Sequence, residues 1–299
     1  MSNVSIIIQG PLNEISLKNI PTYKKYGKVI VSCWNGYDEE LMKYIDDDVI
    51  FISNDLMKIE HYNFQNIYYQ AFTTHAGLEK SEAEFSIKFR SDESYSKLDV
   101  FIKALNENPE CIVTGDIHFW CDVYPFHISD HTIGGKTKSL LGAFNTVKNS
   151  CKTTLPEVQL VTRLYHAKPI EKLIHNHVAP ESLIMISFLQ EIGVLDNIGF
   201  QTPLIPEPIN GPIAVFYAGN LRRDTKQRLI VDYDMATGCI EIVRSHARVV
   251  PTTCMGDVFL NTGGHYVLMS NKLMKEGSEE LIAFQEYHKV YADIEVACR

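Results

Sequence analysis

The chain lacks most of the features that mark a special environment. Its seven cysteines (Cys33, Cys111, Cys121, Cys151, Cys239, Cys254 and Cys298) are odd in number and widely scattered, with no C-x-x-C pair. That spacing gives neither a zinc site nor a disulfide framework, and it predicts free thiols in a reducing compartment. No apolar run approaches the ~18 residues that cross a bilayer, so no transmembrane segment is expected. The N-terminal MSNVSIIIQGPL holds a short apolar run with no basic segment before it, unlike a signal peptide. A cytoplasmic protein is the expectation. Basic residues are in deficit, 28 Lys and Arg against 37 Asp and Glu for a net charge of −9. A general affinity for nucleic acid is therefore not expected, although a local basic pocket remains open. Internal repeats and low-complexity tracts are missing too.

What the chain does have is core-forming material. Hydrophobic residues make up 45% of its 299 positions and charged residues 22%, ordinary for a globular protein. Short β-branched apolar runs recur through the first half: VSIIIQG (4–10), KVIVSCW (28–34), DVIFISN (48–54), FSIKFRS (85–91) and CIVTGDI (111–117). Segments with helical character, 38–46, 62–83 and 96–107, lie between them. Strands that alternate with helices and are nearly continuously apolar predict an α/β fold with a mostly parallel sheet. Ligands of such sheets collect at the carboxyl ends of the strands.

Those ends are polar, small or acidic. They read Gln9-Gly10-Pro11, Ser32-Cys33-Trp34-Asn35-Gly36, Asn54-Asp55, Ser91-Asp92-Glu93 and Gly115-Asp116. The 62–83 helix sets Asn66, Gln70 and Thr74 in a polar stripe beside apolar Ile67, Ala71 and Leu78. The stripe suits a solvated face and a pocket wall equally well. Trp34 suits either a stacking platform for a base or sugar, or a core filler.

The stretch FSIKFRSDESY concentrates the chemistry. Phe85, Ile87 and Phe89 alternate with Ser86, Lys88 and Arg90, and the strand then ends in Asp92 and Glu93. Carboxylates at a strand end suit a hard divalent cation, Mg²⁺ or Mn²⁺, that bridges a diphosphate. Lys88 and Arg90 would meet the same negative charge or tie the carboxylates in place. Structural ion pairs at the sheet edge are the plainer reading.

The later half is less regular. YPFHISDHTIGG (124–135) reads as a strand leading to a loop or helix start, and 175–193 as a helix opened by Pro180 and closed near Gly193. Residues 228–245 read as a hairpin and 271–291 as a closing helix. The character of the chain changes near 211. This places one domain at 1–210 and a β-rich extension at 211–299 that ends in a helix.

Several of these motifs carry a family resemblance. SIIIQGPL, VIVSCW, Asn66…Gln70…Thr74 followed by Gly77-Leu78, IKFRSD, FHISDHTIGG and APESL occur in the order found in the WavE-type lipopolysaccharide-synthesis glycosyltransferases. The chain resembles that family over roughly residues 4–190. The resemblance implies a GT-A fold and transfer of a sugar from a nucleotide-sugar donor to a glycan or polysaccharide acceptor, usually with a divalent metal such as manganese. It puts Gln9, Gly10 and Pro11 beside the nucleotide, and Asp92 in place of the metal-motif aspartate. The usual motif is Asp-any-Asp, whereas here Asp92 is followed by Glu93. Glu181 follows Pro180 where many inverting GT-A enzymes place the base, although a helix N-terminus favours an acid in any case. Asp130 suits a sugar- or acceptor-binding role, or a helix cap. The late histidine that GT-A enzymes often add to the metal shell has four candidates: His127, His131, His175 and His177. Two alternatives stand beside this reading. A sugar-nucleotidyltransferase normally opens with a glycine-rich loop carrying Arg and Lys, and QGPLNEISLKN has one glycine and no arginine. A non-catalytic carbohydrate-binding or scaffolding protein is the other.

Overall fold

The computed structural model describes residues 3–55, 66–117, 126–152, 160–163, 172–175, 180–194, 214–217, 220–223, 229–231, 242–262 and 265–269. The chain opens with strand β1 (Val4–Gln9), short helices α1 (Glu14–Leu17) and α2 (Ile20–Tyr23), strand β2 (Lys28–Trp34), a 3₁₀ helix (Glu39–Tyr44) and strand β3 (Ile50–Asn54). Helix α3 (Ile67–Leu78), strands β4 (Phe85–Arg90) and β5 (Ser94–Tyr95), helix α4 (Asp99–Glu107) and strand β6 (Ile112–Gly115) follow. Then come β7 (Thr132–Lys136), α5 (Thr137–Lys152), β8 (Leu160–Arg163), β9 (Lys172–His175) and α6 (Pro180–Glu191). The described remainder is β10 (Ala214–Tyr217), β11 (Asn220–Arg223), β12 (Leu229–Val231), β13 (Ala247–Val250), β14 (Val258–Thr262) and β15 (His265–Met269).

Seven strands form one central sheet in the order β13-β6-β7-β4-β1-β2-β3. Within it β7 runs against its neighbours β4 and β6, and every other pairing is parallel. This is the mostly parallel α/β sheet with flanking helices that the apolar runs predict. Both faces are covered. Ile7 and Ile30 point into one core with Ile67, Ala71, Phe144 and Leu183, while Ile6, Ile8, Val29 and Val31 point into the other with Phe89 and Phe101. Two-sided burial explains why β1 and β2 read as unbroken apolar runs. Each such side chain contributes about 1.5–3 kcal/mol by leaving water.

Close packing fixes where the helices sit. A Cβ on Gly77 of α3 would stand 2.6 Å from Ile7 Cγ2, so the helix lies on β1 at a distance only glycine permits. The chain steps outward through β1, β2 and β3, then returns to place β4 on the other side of β1. The order reverses between β1 and β4, which opens a crevice beyond their carboxyl ends.

The segment expected to run from a strand to a loop or helix start takes the second course, with β7 leading directly into the 16-residue α5. Other expectations change. The predicted hairpin at 228–245 is not what the described residues form, because β12 pairs in parallel with β8 and residues 242–246 are helical. Strand β13 joins the central sheet beside β6, and β14 pairs with β5. The closing helix expected at 271–291 lies outside the described residues. Cys33 and Cys111 are buried free thiols, whereas Cys254 is disulfide-bonded, a departure from the expected free thiols. Among the described residues no helix is long and apolar enough to cross a membrane.

Candidate active site

The crevice begins where β1 and β4 end together. Gln9 and Arg90 are register partners, and the Ser91 amide donates to the Gln9 carbonyl at 2.8 Å. Gly10 has φ +118, and a Cβ there would stand 2.7 Å from Ser91 Oγ. Its amide donates to the Ser32 carbonyl at 3.2 Å, so the turn after β1 is held from both sides. The Gln9 side chain accepts from Thr73 Oγ1 of α3 at 2.9 Å. Pro11 follows on the surface.

Strand β4 carries the cations. Arg90 donates through Nε and Nη2 to the two Asp92 oxygens at 3.0 and 2.9 Å, and its Nε also lies 3.3 Å from Glu93 Oε1. This bidentate clamp turns the strand end back on itself. Burial alone would lower the Arg90 guanidinium, but the Asp92 hydrogen bond and the Glu93 charge outweigh it and hold the group fully protonated. Lys88 is 0% exposed, and its ammonium donates to the Asp130 carbonyl. Burial lowers it to about 8. Lys88 therefore acts on the site from beneath rather than as a surface contact.

Asp92 and Glu93 part company. Asp92 keeps 22% of its side-chain surface, whereas the Glu93 side chain is 0% exposed. Tyr95 Oη donates to Glu93 Oε2 at 2.7 Å, and His131 Nδ1 bonds Oε1. Burial would lower the His131 imidazolium, but the Glu93 and Asp130 charges outweigh it and raise it above its ordinary value. The Glu93 amide donates back to the Arg90 carbonyl at 3.3 Å, so Asp92 sits in a turn and Glu93 at its end. Here one carboxylate faces the crevice rim and the other anchors the turn. The donor set for a divalent cation is thus one part-exposed carboxylate, Asp92, itself clamped by Arg90, with Glu93 buried among Tyr95 and His131, and no trio of His, Cys, Asp or Glu side chains gathers around a cation position among the described residues. Asp92 fits the role Mg²⁺ and Mn²⁺ ask of a protein beside a diphosphate, which supplies most of the remaining oxygens with water.

A second pair of carboxylates meets this cluster. Asp130, just before β7, accepts from Gln70 Nε2 at 2.7 Å, and its Oδ1 lies 4.0 Å from His131 Nε2. Burial would raise Asp130, but Lys88, His131 and Arg90 together hold it below the usual carboxylate range. Glu181, in the first turn of α6, moves the other way: burial, then the Asp130 charge, push it up to about 7. Its Oε2 is buried without a hydrogen-bond partner and lies 3.6 Å from His127 Nε2. Two acids whose surroundings drive their protonation apart form the usual arrangement for one fixed charge and one mobile proton.

The remaining expected residues distribute unevenly. Of the α3 stripe, Gln70 reaches the cluster, Asn66 is exposed with φ 62, and Thr74 is fully buried. Trp34 packs against Tyr69 and Phe72 with ring centroids 5.2 and 5.4 Å away, the core-filling role. The Asp116 carboxylate takes the Thr252 amide at 3.0 Å, tying β6 to the turn after β13. His175 lies in β9, and His177 falls outside the described residues. Tyr95 is the site residue that the motifs do not announce. Its signal is the i, i+2 spacing from Glu93, the residue just before β5, and the two side chains meet in the Oη–Oε2 hydrogen bond.

No protein-family profile matches the chain, and no curated relative matches it. Among solved structures, it is similar to the mannosyltransferase PcManGT from Pyrobaculum calidifontis in complex with GDP-Man and Mn²⁺. Identity is 14%, with 46% of this chain and 45% of that chain covered at a TM-score of 0.32. HddC from Yersinia pseudotuberculosis shares 13% identity over 46% of this chain and 78% of its own, TM-score 0.32. A putative glucose-1-phosphate thymidylyltransferase from Bacillus anthracis, in complex with a sucrose, shares 9% over 48% and 74%, TM-score 0.32. The chain spans less than half the length of the mannosyltransferase it matches.

Proposed function

We propose that this chain is a glycosyltransferase of the GT-A kind, moving a sugar from a nucleoside-diphosphate-sugar donor to a hydroxyl of a glycan or polysaccharide acceptor. The observation that carries the reading is the Asp130–Glu181 pair: two largely buried carboxylates, one held by Gln70 and the other with its Oε2 unbonded beside His127, near the crevice where β1 and β4 end. The order of the WavE-type motifs along the chain supports it, since Gln9-Gly10-Pro11, Asp92, Asp130 and Glu181 all come from those motifs. A place in polysaccharide biosynthesis follows from the same resemblance.

Each residue then has a role. Gln9, Gly10 and Pro11 border the nucleotide, with Trp34 and α3 as the wall behind them. Arg90 faces the diphosphate, and Asp92 holds a divalent cation, Mn²⁺ or Mg²⁺. When bound, such a cation offsets charge on the diphosphate leaving group. Asp130, kept ionised by Lys88 and fixed by Gln70, orients the acceptor or sugar. Glu181 takes the proton of the acceptor hydroxyl, whose oxygen forms the new bond to the anomeric carbon as the bond to the nucleoside diphosphate breaks.

The test is a thermal-shift panel of UDP, GDP, CDP, CMP and dTDP, each with and without Mn²⁺, followed by transfer assays with the best donor class. A ligand of the folded state raises its midpoint by mass action. One nucleotide should stabilise the wild type and Glu181→Gln alike, with transfer lost in the variant. No shift with any nucleotide would overturn the reading in favour of a non-catalytic carbohydrate-binding protein. Pyrophosphate release from a nucleoside triphosphate and a sugar 1-phosphate would favour the nucleotidyltransferase instead.

A further inference from the structure

His127 is one of the metal-shell candidates that the resemblance raises, but its surroundings suit another task. The residue is 3% exposed, and its Nε2 stands 3.6 Å from Glu181 Oε2. That oxygen is buried and has no hydrogen-bond partner. An ionised carboxylate in such a place needs a donor, because an unmet buried charge is costly. The residue before His127 is unusual as well. Phe126 has φ 59, a left-handed backbone that a bulky side chain rarely adopts, and it is almost fully buried. Strain of this kind costs on the order of 1–3 kcal/mol and persists where the surroundings impose it, often at functional sites. Here it sets the path of a short segment in which His127 meets Glu181, Asp130 meets Gln70 and Lys88, and His131 meets Glu93.

We propose that His127 is the positioning residue of the Glu181 base, its imidazole aiming Oε2 at the acceptor hydroxyl and donating to it whenever the carboxylate is ionised. This rests on the glycosyltransferase reading above. The 3.6 Å separation leaves a few tenths of an ångström to close to hydrogen-bond length. The other groups facing Glu181 come from two elements. Asp130 and His131 reach it from the segment before β7 and Lys88 from β4; Asp130 raises its proton affinity, and His131 and Lys88 lower it. On α5, which packs along α6, Lys148 bonds His75 of α3 at 3.1 Å.

Removal of the imidazole leaves ionised Glu181 short of a donor, so the base should hold its proton more tightly. The experiment compares wild type, His127→Phe, His127→Asn, Glu181→Gln and the His127→Phe/Glu181→Gln double variant. His127→Phe should lower kcat at neutral pH by about tenfold or more, leave the donor KM within about twofold, and move the acid limb of the kcat/KM profile to higher pH. His127→Asn, which keeps a donor, should recover part of both effects. In the Glu181→Gln background, His127→Phe should cost nothing further. An unmoved acid limb, or losses that multiply in the double variant, would overturn the proposal and leave His127 a core residue. If the wild type transfers no sugar, the functional reading fails separately. The pairing is still read by carboxyl ¹³C NMR titration of Glu181, expected to rise in His127→Phe and unchanged if the proposal is wrong. Should His127→Phe fail to fold, His127→Asn and His127→Gln carry the same comparison.

Discussion

The ammonium of Lys88, wholly inside the central sheet, donates to the main-chain carbonyl of Asp130. One hydrogen bond thus joins the middle of β4 to the segment that delivers His127, Asp130 and His131. It also places a positive charge under the two acids of the site, where the low dielectric magnifies its effect.

Lys88→Met keeps most of the length of the side chain and removes the charge. The ionised Asp130 carboxylate is then left short of a cation, and loss of a buried partner costs about 3–5 kcal/mol. Urea denaturation should show that loss in the midpoint. The pH dependence carries a sign. Burial lowers the Lys88 ammonium from 10.5 to about 8, so between those values the folded protein binds fewer protons than the unfolded chain. Its contribution to stability therefore rises with pH across that window, and the rise should be missing in the variant. Readings at roughly pH 8 and pH 9.5 stay below the ordinary tyrosine range, and the difference between wild type and variant removes the cysteine titration common to both.

Glu181→Gln should trade activity for stability. The carboxyl is raised from 4.5 to about 7, so the folded protein binds more protons than the unfolded chain between those values. Stability from this group is full below pH 4.5 and falls as pH rises through 7. The amide removes that loss, a gain on the order of 3 kcal/mol at most above neutrality and little at low pH. Transfer should fall by about 10²–10⁴-fold. Melting curves at acid and neutral pH, beside one rate assay, decide both halves.

Asp92 and Glu93, neighbours in the chain, should respond in opposite ways to removal. Asp92→Ala breaks a partly exposed pair with Arg90 and should cost no more than about 1 kcal/mol. It should also abolish any Mn²⁺-dependent nucleotide shift. Glu93→Ala strips Tyr95, His131 and Arg90 of a buried partner and should cost several kcal/mol, about 3–5. Equal stability losses in the two proteins would contradict the division of labour between them.

Gly10→Ala tests the crevice floor. The position needs φ +118, and the new Cβ would stand 2.7 Å from Ser91 Oγ. Destabilisation of about 1–3 kcal/mol is expected from the backbone alone. Adding Ser91→Gly should relieve the contact and return part of the loss, leaving the backbone share. Complete recovery on denaturation would mean that the positive φ is not required.

The sheet was legible because burial on two faces writes itself into composition. Val4–Gln9 and Lys28–Trp34 hardly alternate, and the structure shows why, since even and odd residues enter different cores. The α5 helix was harder to see. Leu140, Phe144 and Val147 hold a helical spacing, but the Gly134-Gly135 pair just before them suggests a loop, and β7 instead uses Gly134 to admit Phe101 and Leu105 of α4. At the site, the strand-end acids announced themselves as a group, not by role. The turn after β4 separates Asp92 from Glu93, and Glu93 is the one that turns inward because Tyr95 and His131 bond its two oxygens. The His127–Glu181 approach leaves no trace in local sequence, because the two residues meet only once α6 packs beside the segment before β7.

Strand β13 pairs in parallel with β6 and forms one border of the central sheet. On a ribosome, β6 emerges long before its covering strand. At ~5–20 residues per second, roughly ten seconds separate Gly115 from Val250. Throughout that interval the N–H and C=O groups of β6 on that side are a template for any passing extended chain. The vulnerable period of this protein is thus built into its strand order. Chaperone demand during synthesis should track the distance along the chain between these two strands more closely than the stability of the finished fold.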